Sequence, residues 1–450
     1  MTTMTVPRPA TLAPHATRTR TAHRVAYVVS HYPLVSHVFI QREVRALRAR
    51  GLDVQVFSVH RAAASELLTT VDADEAASTH TVLPLQPLRF LRAHCRALAR
   101  SPRAYLSTLR YALERSPSGA RAHAWQLFYF GEAIAVWSTC DRLGIRHLHA
   151  HFANVAADVA WLAAEFGRRS DPDRHWDWTF TMHGCVEFWD VDRFNLARKV
   201  AAASLVLCIS DFTRAQLMAL AEPRYWPKLD VVHCGVDLEH YTPADARADG
   251  DTRFEILCVG RLSPEKGHLV LLDAVAELAR EQLDVHVTFV GDGPLRDALE
   301  AHTTALGIDH RVTFVGAVGQ DDMPAFFRAA DVLCQPSFNE GIPVVLMEAM
   351  ASGLPVVSTD VGAIDELVAD GASGFLVTAA RPSALAAALR RLAASPELRA
   401  AMGACGRATV EQRFDVAASA REIERRFQDL VDGNRAVPAE VDPGPDTRLW

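Results

Sequence analysis

Residues 336–360 read PSFNEGIPVVLMEAMASGLPVVSTD, and the apolar run Val332-Leu-Cys comes just before them. An apolar run, a short loop, a segment of helical period, a Gly turn and a second apolar run make a βαβ unit. Units of this kind build α/β folds with doubly wound parallel sheets. Glu340 falls in the loop and Glu348 on the helix, which is read as starting near Pro343, where a missing N–H has no helical partner to lose. The two acids therefore lie at different depths of one pocket. Gly341, Ile342, Pro343 and Val344 open the helix, so its free N–H groups and dipole suit a phosphate or an electron-rich sugar oxygen. On spacing alone, an ordinary loop and a solvated helix fit equally well.

Upstream, Glu255-Ile-Leu-Cys-Val-Gly-Arg-Leu-Ser-Pro-Glu-Lys-Gly267 reads as a strand that delivers Arg261 to its carboxyl end, with Lys266 just before a helix from His268. Two cations at a cleft mouth suit a diphosphate through charge-assisted hydrogen bonds, although composition alone also allows two solvated side chains. Alternation continues through Val285–Val290, a turn at Gly291-Asp-Gly-Pro294 read as starting a helix, and a strand ending before Val318. The GxG of that turn lacks the full GxGxxG of a dinucleotide loop.

The first half alternates in the same way. Strands are read near residues 25–30, 54–57, 147–152, 178–183, 205–210 and 230–237, with helices at 38–50, 154–166 and 193–203. Asp211 is read as the N-cap of the next helix. Residues 87–144 interrupt the alternation as three helices. The expected domains are 24–245, with its insertion, and 246–414, joined by an Ala/Asp/Gly-rich linker at 245–252 and followed by a helix at 415–431. Residues 1–23 and 432–450 are aperiodic and expected to be disordered. His183 ends an apolar strand and precedes Gly184, while His147, His149 and His151 share one strand face. That face suggests metal, but the sequence shows no nearby carboxylate or cysteine to complete a ligand set, so none is expected. The Asp-x-Asp pairs 72/74, 171/173 and 190/192 do not end clear strands and are read as chance.

The 450 residues carry a formal net charge of −7, and 49% are hydrophobic. That balance suits a globular chain and disfavours nucleic acid as a partner. The 8 cysteines show no CxxC spacing, no apolar run reaches a membrane span, and the first residues lack a signal-peptide core, so a cytoplasmic protein is expected. In 87–115, Arg89, Arg92, Arg96 and Arg100 share one helix face, opposite Leu88, Leu91, Cys95 and Leu98. Either the leucines pack on the core, or the stretch holds the protein peripherally on the anionic inner face of a membrane.

The stretch 336–360 resembles family 4 of the nucleotide-sugar-dependent glycosyltransferases, which have the GT-B fold. Glu340 and Glu348 match that family's paired donor-site acids, GRLSPEKG at 260–267 its diphosphate loop, and His183-Gly184 its HG. SHYPLVSHVF at 30–39 is similar to the opening of members that build exopolysaccharides, which makes Ser36 and His37 candidates. The resemblance covers residues 24–431, most weakly 61–144. It implies a UDP- or GDP-sugar donor with no bound cofactor, retention of configuration, and a glycan, lipid-linked or small-molecule acceptor held by the first domain. Glu340 would hold the donor sugar, Glu348 the ribose, His183 the sugar's flank, Arg261 and Lys266 the diphosphate, and the loop of Val318 the base. Glu187 is the candidate for an acid that the family carries soon after its HG. The final helix would cross back onto the first domain. A sugar-nucleotide epimerase of the same fold and a silent nucleotide-sugar-binding scaffold are the alternatives.

Overall fold

The computed structural model describes residues 23–184, 186–243 and 253–434; the expected linker at 245–252 and most of both aperiodic arms lie outside them. Strands β1 (Arg24–Tyr32), β2 (Asp53–Arg61), β3 (His80–Leu83), β4 (His147–His151), β5 (Asp177–Met182), β6 (Leu205–Cys208) and β7 (Leu229–Val231) form one sheet, ordered β3-β2-β1-β4-β5-β6-β7. Strands β8 (Phe254–Val259), β9 (Val285–Val290), β10 (Val312–Gly316), β11 (Val332–Gln335), β12 (Val356–Thr359) and β13 (Gly374–Val377) form a second, ordered β10-β9-β8-β11-β12-β13. Neighbouring strands pair in parallel, and every residue of β4, β5 and β6 is buried, as a sheet covered by helices on both faces requires. This is the GT-B-like, doubly wound α/β architecture expected from the sequence.

Strand order reverses once in each sheet, at β1/β4 and at β8/β11. At such a switch point the flanking loops leave in opposite directions and open a crevice beyond the strands' carboxyl ends. The loops after β1, β4, β8 and β11 are therefore the ones placed to form a site.

The last described helix, Val416–Val431, starts at Asp415, whose carboxylate accepts hydrogen bonds from the Ala417 and Ala418 amides. Its Ile423 and Phe427 join the cluster of Val25, Tyr27, Ile40 and Val44, and Arg426 pairs with Asp230 at 2.5 Å. It thus packs on the first sheet although it follows the second.

Local structure departs from the sequence reading at several points. The helix Asp211–Leu220 is capped by Ser210, in a reciprocal box with Thr213, rather than by Asp211. Residues 193–203 are not one helix: Asn195 takes a left-handed φ of 54° and separates Val191–Phe194 from Leu196–Ala202. The helix after the Gly291 turn runs Arg296–Leu306, two residues beyond Pro294. The insertion forms the helices Pro87–Arg100, Pro102–Glu114 and Ala120–Leu143. The first packs through Ala93 and Ala97, while Leu88, Leu91 and Leu98 are 69%, 59% and 40% exposed. Its leucines therefore do not pack on the core. Among the described residues no helix is long and apolar enough to cross a membrane.

Candidate functional site

The loop after β11 turns through Ser337 and Glu340 into the helix Val344–Ala351, with Pro343 extended just ahead of the first turn. Glu340 Oε1 accepts hydrogen bonds from Lys266 Nζ and Ser337 Oγ, both at 2.6 Å. Lys266 closes the turn Pro264–Lys266 after β8, so an acid and a base from the two loops of one switch point meet there. Arg261, five residues earlier, is exposed at the end of β8. The Gly291-Asp-Gly turn supports this loop. A Cβ on Gly291 would lie 2.0 Å from the Gly260 carbonyl oxygen and one on Gly293 2.5 Å from that of Leu262, so these glycines serve close backbone approach.

Glu348 is buried one helical turn or more below Glu340's loop, and its Oε1 accepts a hydrogen bond from Arg42 Nη2 at 2.6 Å. Arg42 belongs to the helix Val38–Ala49 of the first domain, so this pair joins the two halves. Arg42 Nη2 also reaches the Tyr241 hydroxyl at 3.0 Å and the Gln320 side-chain oxygen, while its Nη1 is buried without a partner. Gln320 lies in the loop after β10 with Val318, which packs partly buried against a cluster containing Ile342 and Leu346.

His183 is buried just beyond β5. Its Nε2 lies 2.8 Å from His151 Nδ1, its Nδ1 lies 3.6 Å from Cys234 Sγ, and the rings of Phe39 and Phe152 flank it. Burial, and then the neighbouring His151 and His37, hold its pKa well below the ordinary imidazole value. Its backbone carbonyl faces the second domain: a Cβ at Gly341 would come within 2.4 Å of it. Close by, the Asp211 and Phe212 amides donate to the Glu366 carboxylate at 2.9 and 2.7 Å, placing an acid of the second domain on a helix start of the first.

The structure thus brings Glu340, Lys266, Gly341 and His183 to one junction and places Glu348 and Val318 on adjoining elements. Ser36 is exposed; the His37 ring lies tilted against those of Phe39 and Phe152, and burial lowers its pKa to about 4. Glu187 is buried beneath Gly184, and desolvation raises its pKa.

One sequence expectation is corrected here. Glu43, from the helix Val38–Ala49, does approach the histidine face of β4: Glu43, His149 and His151 each bring a ligand atom within 4.8 Å of the others. Both nitrogens of His149 are already engaged, by Thr179 at 2.8 Å and Thr181 at 3.0 Å, which makes the cluster a poor ligand set. The Asp-x-Asp residues have local roles: Asp72 shares a capping box with Thr69, Asp190 caps Val191–Phe194, and Asp171 pairs with Arg100.

Arg42, Glu43, Tyr241 and Gln320 were not found by the sequence reading. A signal existed for Glu43. It occupies the i+3 place of the apolar series Ile40, Val44, Leu47, where a carboxylate must be buried and therefore partnered.

Residues 245–409 match the family model described as glycosyl transferases group 1. A D-inositol 3-phosphate glycosyltransferase of Streptomyces avermitilis is 34% identical over 296 residues, covering 61% of this chain and 63% of the relative. A GDP-mannose-dependent alpha-(1-6)-phosphatidylinositol monomannoside mannosyltransferase of Mycolicibacterium smegmatis is 32% identical over 242 residues, covering 50% and 63%. The chain therefore spans less than two thirds of the length of either relative. Among solved structures, Anabaena Alr3699/HepE in complex with UDP-glucose superposes with a TM-score of 0.67 at 20% identity, covering 90% of this chain and 99% of the other. Residues 245–409 thus carry the sequence of the group 1 glycosyl transferases, on a two-domain fold that the chain shares with a protein solved with UDP-glucose.

Proposed function

We propose that the protein is a family 4 glycosyltransferase that moves a hexosyl group from a UDP- or GDP-sugar to an acceptor hydroxyl, with retention and without a metal. The observation that carries this reading is the Lys266–Glu340 pair at the β8/β11 switch point, beside the start of the helix Val344–Ala351. A diphosphate arriving there meets Lys266, Arg261 and the backbone N–H groups of Gly341, Ile342 and Val344 around Pro343. Together they stabilise the charge that grows as the diphosphate leaves, the task a divalent ion performs in other transferases. With Lys266 turned to the diphosphate, Glu340 holds sugar hydroxyls and offsets positive charge at the anomeric carbon. Glu348 takes the ribose hydroxyls, the loop of Val318 lies against the base, and His183 flanks the sugar. A diphosphate oxygen accepts the proton of the attacking hydroxyl on the face that the diphosphate leaves.

The acceptor lies on the first domain, at the loops after β1 and β4. The relatives' names point to phosphorylated inositol or a phosphoinositide as the first acceptors to try, and exopolysaccharide intermediates follow from the likeness of residues 30–39. A lipid-linked acceptor would place the protein at the inner face of the membrane, docked through residues 87–115.

The experiment is a thermal-shift screen against UDP-, GDP- and ADP-sugars, followed by assay of nucleotide diphosphate release with each acceptor. A ligand at a hundred times its dissociation constant stabilises by about 2.7 kcal/mol. Stabilisation by one nucleotide sugar and acceptor-dependent release of its diphosphate are expected. Turnover of the donor without any acceptor would favour the epimerase, and binding without turnover the scaffold.

A further inference from the structure

A second set of buried polar groups lies behind His183, on the side of the first sheet that carries the helix Val38–Ala49. The Tyr27 hydroxyl donates to Glu43 Oε1 at 2.7 Å. Glu43 Oε1 lies 3.5 Å from His151 Nε2, a buried nitrogen with no hydrogen-bond partner, so the carboxylate faces it as a charge at close range. His151 Nδ1 lies 2.8 Å from His183 Nε2, and His183 Nδ1 lies 3.6 Å from Cys234 Sγ. Tyr27 and His151 have no exposure at all, and His183 and Glu43 are 6% and 8% exposed.

Hydrogen-bond capacity orders the protons along this line. Tyr27 has one hydroxyl hydrogen and gives it to Glu43, so the carboxylate faces His151 only as an acceptor. A carboxylate oxygen 3.5 Å away favours N–H over a lone pair at His151 Nε2, and in a neutral imidazole Nδ1 is then the lone pair. The short contact to His183 must be a hydrogen bond donated by His183 Nε2–H. His183 Nδ1 is left as an acceptor, matched to the weak thiol donor of Cys234. His149 stands outside this line, since its two nitrogens are held by Thr179 and Thr181.

We propose that Glu43 and His151 are positioning residues for His183: the carboxylate fixes the tautomer of His151, and His151 fixes that of His183, with the proton on Nε2 and the lone pair on Nδ1. The inference rests on the transferase reading for its consequence. A donor-sugar hydroxyl that reaches the ring gives its hydrogen to Nδ1 in place of the thiol, so the tautomer decides which sugar-hydroxyl orientation the site accepts. The same line braces the backbone carbonyl that Gly341 approaches, because the ring is held at Nε2 and between Phe39 and Phe152.

The test is long-range 1H–15N spectroscopy of the full chain labelled with 15N-histidine at neutral pH, the two rings being assigned by signal loss in His151→Asn and His183→Asn. In the wild type both rings are expected with N–H on Nε2; N–H on Nδ1 of either ring overturns the proposal without any variant having to fold. Glu43→Gln keeps the shape but offers an amide N–H, so both rings should invert or mix; an unchanged His183 spectrum overturns it. In a transfer assay Glu43→Gln should lower kcat at least about tenfold with UDP affinity unchanged, since the second domain holds the nucleotide. An unchanged kcat, or a parallel loss of UDP binding, overturns it. Absence of transfer activity in the wild type would instead fail the transferase reading, while the wild-type tautomers would still decide the proposal.

Discussion

Arg42 of the first domain and Glu348 of the second form a buried ion pair across the junction, Nη2 to Oε1 at 2.6 Å, with side chains only 11% and 5% exposed. Removing one member of a buried pair leaves an uncompensated charge and costs about 3–5 kcal/mol. Arg42→Ala should therefore lower the melting temperature. Because it frees the carboxylate, the stabilisation produced by added UDP should persist. Glu348→Ala should abolish that stabilisation and raise the donor KM with little change in kcat, since a ribose contact serves ground and transition states alike. A UDP shift retained in Glu348→Ala would remove Glu348 from the ribose role.

Lys266→Ala and Arg261→Ala should each lower turnover about 10²-fold, the usual effect of losing one preorganised donor to developing charge. Lys266→Ala also strips Glu340 of a 2.6 Å partner, so its donor KM should rise more than that of Arg261→Ala. Chelator should leave wild-type activity unchanged. Activity lost to EDTA and restored by magnesium would sink the metal-free mechanism.

Gly341→Ala tests the contact between the domains. Its Cβ would lie 2.4 Å from the His183 carbonyl oxygen, backbone that cannot rotate away, so the two loops must separate. Turnover should fall at least about tenfold while the melting temperature stays close to that of the wild type, because a near-attack geometry is far less tolerant of displacement than either core. Wild-type turnover would show that this approach does not govern the chemistry.

The strand order, with its reversals at β1/β4 and β8/β11, was not legible. The strands of the two sheets and the two acids were, because they depend on local signals: apolar runs, Gly and Pro punctuation, and a short spacing between Glu340 and Glu348. Caps were less so, since Ser210 and Asp211 are both good N-caps and only the chain's direction into the helix chooses between them. Arg42 looks like a charge on a solvated helix face, whereas the place of Glu43 in the apolar series Ile40, Val44, Leu47 marks it for burial without naming what it meets. What brings them beside the junction is the approach of Glu348 from 306 positions away and of His151 from strand β4, and no local spacing names those partners. The exposed leucines of Pro87–Arg100 failed for the opposite reason. An apolar stripe predicts burial, but Ala93 and Ala97 allow closer packing and took the inward face.

Stability should fall on acidification below about pH 6.5. Burial holds His147, His149 and His183 well below the ordinary value and brings His37 and His268 down to about 4. The unfolded chain binds protons at about pH 6.5 that the folded chain refuses, so their contribution is full above that pH and is lost as pH falls, by up to about 1.4 kcal/mol per unit for each group. Glu132 opposes this: burial raises its carboxyl to about 7, so the folded chain takes up that proton first. Burial also raises Glu187 and Asp158, and the five imidazoles outweigh these three carboxyls. Melting temperatures at constant ionic strength should therefore drop between pH 6.5 and 5, and a flat profile would contradict the buried neutral histidines.

The membrane reading turns on which side chains of Pro87–Arg100 are free to meet lipid. Arg96 pairs with Asp141 at 2.5 Å and Arg100 with Asp171 at 2.6 Å, so half of the basic stripe is engaged within the domain. Arg89 and Arg92 are exposed, beside Leu88, Leu91 and Leu98. A helix that turns leucines and arginines outward together has the character of an interfacial segment, in which apolar burial adds to about 1 kcal/mol for each basic residue near an anionic surface. Replacing Leu88, Leu91 and Leu98 with Ser should release the protein from phosphatidylglycerol-containing liposomes, and Arg89→Gln with Arg92→Gln should do so at physiological salt. Transfer to a soluble acceptor should be unaffected by either set, because neither touches the junction of Glu340, Lys266 and His183. Arg96→Gln with Arg100→Gln should weaken binding less, and should cost no more than about 1 kcal/mol of stability for each half-exposed pair. Wild-type protein that fails to sediment with such liposomes at low salt would end the membrane reading, and a leucine variant that sediments like the wild type would move the contact to another face.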